Sequence, residues 1–304
     1  MNAPRLGPTN GLAIATPLPD ILPDVRRPTG AIGFLRRYPA IAVGGGLLGV
    51  MIFVALFAPI LGTVDPTAIA ARLRTREPSA LHWFGTDMLG RDLYSRVLYG
   101  ARVSLIVGFS VAALSSIGGL AIGLFSGFFR AMDAVVMRVM DGIMSIPSIL
   151  LAVALMALTR GSVGNVIIAI TIAETPRVSR LVRGVVLSLR EQAYVDAAIT
   201  CGTRTPVIVL KHILPNALAS IIVQATYVCA SAMITEAILS FIGAGTPPFI
   251  PSWGNIMAEG RALWQVKFYI VLFPAIFLSM TVLAVNLLGD GLRDALDPRM
   301  TKAA

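Results

Sequence analysis

Four stretches of the chain carry no charged side chain and are long enough to cross a bilayer. They are residues 38–64, 103–129, 212–235 and 268–289. A spanning helix needs about 20 mostly apolar residues, so each stretch predicts one transmembrane helix. The first stretch is too long for a cleaved signal peptide and is expected to stay in the protein as a helix.

Two further spans are predicted from weaker patterns. One covers residues 134–159, with Arg138 and Asp141 near its start, and the other covers residues 162–182. Glu174, Pro176 and Arg177 interrupt the second half of the latter, which makes it the weakest of the six. The hydrophobic pattern therefore predicts an all-α polytopic membrane protein with six transmembrane helices.

The composition agrees with a membrane protein and excludes a soluble one. Of 304 residues, 56% are hydrophobic and 13% are charged, whereas a soluble domain has about 25% charged residues. The net charge of +9 does not indicate nucleic-acid binding, because the basic residues lie at the edges of apolar stretches rather than on one face. The two cysteines and two histidines have no metal-ligand spacing, so no metal site is predicted.

Lysine and arginine also predict the direction of the chain. They are more numerous in the segments that an N-in, C-in topology places in the cytoplasm, as the positive-inside rule requires. The predicted organisation is a cytoplasmic, mostly disordered tail (1–37), a first transmembrane helix (38–62), an extracytoplasmic loop (63–102), a five-helix core (103–290) containing a cytoplasmic loop (184–214), and a cytoplasmic C-terminal tail (291–304).

Three glycines share one stripe of the second predicted span, namely Gly119, Gly123 and Gly127. Small residues let helix backbones approach closely inside a bilayer. The stripe therefore predicts helix packing, within this chain or against another subunit.

The loop between the fourth and fifth spans differs from the rest of the chain. Leu189 to Thr200 can form a short helix, with Ser188 as N-cap and Glu191 completing a capping box. Gly202 follows as a stop signal. So short a helix is not stable alone, which suggests that it docks on a partner. In it, Ala193, Ala197 and Ala198 permit close approach, while Tyr194 and Asp196 offer polar anchors.

This loop resembles the EAA loop of ABC-type importer permeases. The matching residues are Asp196-Ala-Ala, Gly202, and His212 followed by Leu214-Pro215. Asp196 replaces the usual glutamate and His212 the usual apolar residue. In that family the loop is a coupling helix that docks on a cytoplasmic ATP-binding subunit. The resemblance implies docking by Glu191, Tyr194, Asp196, Ala197, Ala198, Gly202 and Pro215.

Other segments resemble one branch of these permeases, the dipeptide/oligopeptide/nickel family. They are residues 82–105, 236–243, 251–254 and 286–298. The resemblance implies a multi-pass protein of the bacterial plasma (inner) membrane that forms part of the translocation path for peptides or similar small solutes. It also implies a homologous second permease, one or two cytoplasmic ATP-binding subunits and an extracytoplasmic substrate-binding protein. The cargo stays open between dipeptide, oligopeptide, glutathione-like and nickel-complex solutes.

The chain lacks the motif that binds ATP phosphates. A P-loop needs GxxxxGK[ST], but Lys211, Lys267 and Lys302 follow Leu, Val and Thr. ATP and Mg²⁺ are therefore expected on partner subunits, and this chain is expected to bind no cofactor and to be no enzyme. Intramembrane-enzyme motifs such as HExxH and GxSxG are also missing from the sequence.

Two acidic residues at membrane depth are candidates for function, Asp141 and Glu236. Intramembrane charges are functional candidates by default, but we favour the structural interpretation, in which a hydrogen bond or salt bridge locks helices together, with Arg138 as the candidate partner of Asp141. If they bind protons or sodium, the chain is instead a stand-alone ion-coupled secondary transporter, the alternative function. Against that alternative, the two halves of the sequence show no internal repeat.

The charged loop 65–102 either meets the substrate-binding protein or forms a self-packed cap.

Overall fold

The computed structural model describes residues 31–159 and 161–296, and helices dominate them. Predictions for residues 1–30 and 297–304 lie outside this range. The helices are α1 (Ala31–Arg37), α2 (Pro39–Phe57), α3 (Leu93–Phe128), α4 (Arg130–Met144), α5 (Ser148–Ala157), α6 (Val163–Arg190), α7 (Ala193–Thr200), α8 (Thr205–Ile208), α9 (Leu214–Phe241), α10 (Trp253–Gly260) and α11 (Tyr269–Leu296). The all-α prediction is confirmed.

Four helical stretches are long and apolar enough to cross a membrane. They are Pro39–Ile60, Leu93–Phe128, Thr205–Phe241 and Tyr269–Leu296, and each covers most of one of the four charge-free stretches. The third includes α8, a π-helical turn at Val209–Ile213 and α9.

The two spans predicted from weaker patterns differ in the structure from the prediction. Residues 134–159 form two helices, α4 and α5, which meet at an angle of 84°, because Pro147 ends the helical hydrogen bonding between them. α6 has 28 residues, enough to span, but carries five charged residues from Glu174 onward. The described residues thus contain four spans, or five if the bent pair is one span. The count of six and the N-in, C-in direction stay predictions.

The helices pack around α3. α6 and α9 contact α3 along its length, and α11 packs against α2 and α9. α2 remains exposed on the other side, where Val50, Phe53 and Leu56 are all more than half exposed. A helix that is apolar and exposed in this way is suited to contact lipid.

Side-chain caps fix where the long helices begin. The Asp92 carboxylate accepts the Ser95 N–H at 2.8 Å and the Ser95 hydroxyl at 2.6 Å, which caps α3. Ser162 and Ser252 cap α6 and α10 by accepting the N–H of Asn165 and Asn255. Each cap satisfies a backbone donor that the helix itself leaves free.

A compact cap of residues 63–92 together with α10 covers one end of the helices. The Trp253 indole donates to the Val97 carbonyl at 3.0 Å, and the Tyr269 hydroxyl donates to the Arg76 carbonyl at 2.8 Å. The loop is therefore packed on the rest of the chain, as the self-packed alternative expects. Leu81 and Trp83 stay largely exposed on its surface, at 89% and 61%.

Four buried or half-buried charges connect the two parts of the cap. Asp87 is fully buried and accepts from Arg91 Nε at 2.6 Å and from Arg96 Nη1 at 2.5 Å. Both arginines also bond Glu259 of α10, Arg91 Nη2 at 2.5 Å and Arg96 Nη2 at 3.0 Å. Because each charge has opposite charges as partners, the cluster is neutral and its desolvation is compensated.

Candidate functional site: the α7 segment and the helices that hold it

The helix before the predicted coupling loop is longer than the sequence indicates. α6 continues to Arg190, whose guanidinium donates to the Gly127 carbonyl at 2.8 Å and lies 5.0 Å from the Phe128 ring centre. These contacts with the end of α3 stabilise an extra turn of α6. The predicted capping box is therefore wrong: Ser188 lies inside α6, Glu191 follows its end, and α7 begins at Ala193.

Few buried side chains hold the short helix of the α7 segment, which comprises residues 191–216. On α7, Val195 is 1% exposed and Ala198 is half-buried against the core. Asp196 and Ala197 are exposed, and so is Ile199 at 55%. Val195 and Ala198 thus anchor one face of α7, while Asp196, Ala197 and the apolar Ile199 are open to a partner.

Gly202 ends α7 as the sequence predicts. Its φ is +75°, in the left-handed region that glycine adopts without strain. The Gly202 N–H donates to the Ile199 carbonyl at 2.9 Å, and the Thr203 N–H donates to the Ala198 carbonyl at 3.0 Å. This pair of bonds is the Schellman motif, which turns the chain sharply after the helix.

The folded segment brings the two ends of the predicted motif together. The Tyr194 ring lies 6.4 Å from the His212 ring, and the Asn216 amide donates to the Tyr194 hydroxyl at 3.5 Å. Pro215 lies exposed in the first turn of α9, where its missing N–H costs nothing. α7 therefore lies beside the start of α9, and the buried Ile213 anchors the return.

The glycine stripe lies between α3 and α6. A Cβ on Gly119 would lie 2.5 Å from Val178 Cβ, one on Gly123 would lie 2.6 Å from Val182 Cβ, and one on Gly127 would lie 2.8 Å from Val186 Cγ1. The helices approach so closely that no side chain fits between them. In the structure the stripe packs within this chain, against α6.

Asp141 lies on α4 at an exposed position. Its carboxylate forms a salt bridge with Arg180 of α6, rather than with Arg138 as the sequence analysis considered. Nearby, Arg183 bonds both carboxylate oxygens of Asp133, each at 2.5 Å. Both pairs join α4 to α6.

Glu236 lies in the interior near the end of α9 and is fully buried. Its carboxylate accepts from the Ser240 hydroxyl at 2.8 Å and from the Ser104 hydroxyl of α3 at 3.4 Å. Ser240, Thr246 and Ser252 continue these contacts toward α10 through hydroxyl pairs at 3.1 and 3.2 Å. Glu236 therefore lies in a polar cluster that joins α3, α9 and the loop before α10.

One set of residues was missed by the sequence analysis. Asn216, Ser220, Gln224 and Tyr227 recur at spacings of four and three along α9 and line one groove. A spacing of four and three residues indicates one face of a helix. These residues lie within a charge-free stretch predicted as a span, and its high hydropathy draws attention away from them.

Comparison with known proteins gives the class to which the chain belongs. The family described as binding-protein-dependent transport system inner membrane component matches residues 119–302. A probable peptide ABC transporter permease of Sinorhizobium fredii is 49% identical over 264 residues, covering 87% of this chain and 90% of the relative. A dipeptide transport system permease of Alkalihalophilus pseudofirmus is 42% identical, covering 88% of each.

A further relative and a solved structure agree. An oligopeptide transport system permease of Bacillus subtilis is 39% identical, covering 86% of each chain. An inward-facing structure of the MetNI methionine ABC transporter matches with a TM-score of 0.56 at 20% identity, covering 66% of this chain and 96% of that one. At this identity the match concerns the fold alone.

The chain belongs to the binding-protein-dependent transport system inner membrane component family. It is a multi-pass permease subunit of an ABC importer in the inner membrane. The comparisons give no support to the secondary-transporter alternative.

Proposed function

We propose that this permease forms part of the path for peptides or similar small solutes. Three relatives support this proposal, since their names describe permeases for peptides, dipeptides and oligopeptides. The assembly would contain a homologous second permease, one or two ATP-binding subunits and an extracytoplasmic substrate-binding protein. ATP and Mg²⁺ would bind to the ATPase subunits, and this chain would bind neither.

The α7 helix is the proposed contact with the ATPase. The observation that carries this proposal is its open face, where Asp196 and Ala197 are exposed while Val195 on the other side is buried. Within the residues that the structure describes, no side chain donates a hydrogen bond to the Asp196 carboxylate. Small alanines permit a close approach, and a carboxylate offers a bond to a basic or N–H donor of the partner.

The position of α7 between α6 and α9 allows its movement to act on both helices. Two residues separate the end of α6 from the start of α7, and the end of α7 leads through α8 into α9. Both α6 and α9 pack along α3, so a displacement of α7 acts on two long helices at once. Because packed helices have discrete arrangements, ATP-driven movement at α7 would switch the spans between inward-open and outward-open packing.

The test is charge reversal on the open face. Asp196→Arg is expected to reduce solute uptake in proteoliposomes by about tenfold, the effect of losing one contact of ~1.4 kcal/mol, while the protein still folds and inserts. ATP hydrolysis by the assembly would no longer respond to substrate and binding protein. Ala197→Arg should act in the same way by blocking close approach.

Asp65→Arg is the matched control, because it makes the same charge change on an exposed residue of the cap. Its uptake and its ATP hydrolysis should remain coupled. Normal coupled uptake by the Asp196→Arg transporter would refute the docking role of α7.

A further inference from the structure

A polar groove lies where α6, α9 and α11 meet. Its volume is about 640 Å³. The residues on which the inference depends are Asn216, Ser220, Gln224 and Tyr227 of α9, Leu181 of α6 and Arg293 of α11. The groove begins beside Pro215, at the α7 segment, and follows α9 into the span.

The four α9 residues form a continuous stripe on one side of the helix. From Asn216 to Tyr227 the stripe extends about 16 Å along the axis, at 1.5 Å per residue. Ser231 continues it by one turn, and its hydroxyl donates to Glu174 of α6 at 3.4 Å. The stripe is therefore about 22 Å long and runs through most of a span.

Two side chains in the stripe have unused hydrogen-bonding groups. Within residues 31–159 and 161–296, neither the Ser220 hydroxyl nor the Gln224 amide has a hydrogen-bond partner. Two other hydroxyls of α9 are bonded within the chain: the Thr226 hydroxyl donates to the Val223 carbonyl at 2.7 Å, and the Ser240 hydroxyl donates to Glu236 at 2.8 Å. Exposed to lipid, free polar groups would cost free energy, so this side of α9 faces water or another polar surface.

The opposite side of α9 has a different character. Leu218 and Ile222 are each 43% exposed, and they lie about 200° around the helix from the neighbouring stripe residues. The exposed residues of α9 are thus apolar on one side of the helix and polar on the opposite side. Such a division is expected for a helix between a bilayer and a water-filled path.

Charges near the groove balance one another. Arg177 Nη1 bonds the Glu174 carboxylate at 3.1 Å, beside Ser231. Farther along, the Tyr227 hydroxyl donates to Asp290 of α11 at 2.8 Å, and Arg293 lines the groove one turn beyond Asp290. Two arginines and two carboxylates therefore accompany a stretch of uncharged donors and acceptors.

We propose that the α9 stripe lines the solute path of this permease, and that the path suits polar solutes without net charge, the class that includes zwitterionic peptides. The second part rests on the proposed function. Ser220 and Gln224 provide hydrogen bonds that replace those of water as the solute passes, and the balanced charges exclude a strong preference for either sign. Water filling the stripe in the assembled transporter is the direct consequence.

Cysteine labelling of the assembled, membrane-embedded transporter tests the path. The exposed Cys201 is first changed to serine, while the buried Cys229 stays. Ser220→Cys and Gln224→Cys should react with a charged methanethiosulfonate about tenfold faster than Leu218→Cys and Ile222→Cys, because the reactive thiolate forms in water and not in apolar surroundings. Equal rates on both sides, or unreactive stripe cysteines, would overturn the assignment and indicate a buried contact with another subunit.

The charge of the reagent tests the solute class. Anionic sulfonatoethyl and cationic trimethylammonioethyl methanethiosulfonates are compared at Gln224→Cys, each relative to its rate with free cysteine. A charge-balanced path gives relative rates within about threefold, since a net local charge would concentrate one reagent. A tenfold preference for either sign overturns the neutral-solute assignment. Failure of the wild-type transporter to take up peptides would instead refute the proposed function, and the labelling results would still decide the path.

Discussion

The cap and the α7 segment lie at opposite ends of the long helices. They differ in whether their charged side chains are buried and paired. In the cap, Asp87 and Arg96 are buried, and each bonds two or more partners. In the α7 segment, Asp196 is exposed and its carboxylate lacks a hydrogen-bond donor among the described residues. Buried charges must be paired before a fold is stable, whereas an exposed charge is free to pair with a partner.

The two regions differ in how firmly they are held and in how open they are to a partner. The cap joins α3, α10 and α11 through the Arg96–Glu259 and Tyr269–Arg76 bonds, so it moves only with those helices. The α7 helix has a single fully buried side chain, Val195. Substitutions in the cap should therefore reduce stability, and substitutions on the open face of α7 should reduce coupling with little effect on stability.

The largest effect is expected at the centre of the cap. Asp87→Ala leaves Arg91 and Arg96 buried without one of their two carboxylates. Breaking a buried ion pair in this way costs about 3–5 kcal/mol, so the thermal unfolding midpoint of the purified protein should fall sharply. Size-exclusion chromatography after heating in detergent measures that midpoint.

Asp65→Ala is the control for this prediction. Asp65 is an exposed aspartate of the same cap whose partners, the Thr67 N–H and hydroxyl, are two residues away. Its loss should leave the midpoint unchanged. Equal midpoints for the two variants would mean that the buried cluster does not hold the cap.

A smaller effect is expected in the helix contact that connects the two ends. In Gly123→Ala, the new methyl group would lie 2.6 Å from Val182 Cβ and 2.8 Å from the Ser179 carbonyl oxygen. Overpacking of this kind costs about 1–3 kcal/mol and should push α6 away from α3. Thermal midpoints measured as above detect the loss.

Gly184→Ala is the matched control on α6. A Cβ there has no atom within 4 Å, and alanine favours a helix over glycine by about 1 kcal/mol. The midpoint should stay equal or rise. A similar decrease of the thermal midpoint in Gly123→Ala and Gly184→Ala would show that the tight α3–α6 contact does not cause the loss of stability.

How much of this could be predicted depended on the length of each pattern. The four charge-free stretches identified four spans, because lipid demands about 20 apolar residues in a row. The stripe of Gly119, Gly123 and Gly127 predicted close helix packing, and Gly202 marked the end of α7. Each of these signals is local and has a direct steric or hydrophobic cause.

The errors came from contacts that are distant in sequence. The capping box at Ser188 and Glu191 was reasonable locally, but the Arg190 bond to the Gly127 carbonyl extends α6 past it. The sequence predicts Arg138, on the same helix, as the partner of Asp141, but the salt bridge is with Arg180 of α6. The buried cluster of Asp87, Arg91, Arg96 and Glu259 joins residues more than 160 positions apart, and no pairing rule finds it from one sequence.

A single backbone change affects only the α7 segment and tests whether the two ends are independent. Gly202→Ala meets no atom within 4 Å, so its cost is the left-handed backbone alone, about 1 kcal/mol. The turn after α7 should loosen, and the amides of Gly202 and Thr203 should exchange hydrogen faster than in the wild type. The cap amides should keep their wild-type exchange rates, and faster exchange there would contradict the independence of the two ends.

The smallest effect is expected at an exposed pair on the edge of the cap. Lys267 Nζ donates to the Glu77 carboxylate at 2.7 Å, and this bond lowers the pKa of Glu77 below its usual 4.5. A carboxyl whose pKa is lowered by folding stabilises the fold at pH values above 4.5, and the stabilisation disappears as the pH falls through the lowered pKa. The midpoints of wild type and Glu77→Gln should therefore differ slightly at neutral pH and converge in acid. Because Glu77 is exposed, added salt should also remove the difference. A difference that persists in acid and in high salt would mean that this pair, like the Asp87 cluster, is part of the buried structure that holds the cap.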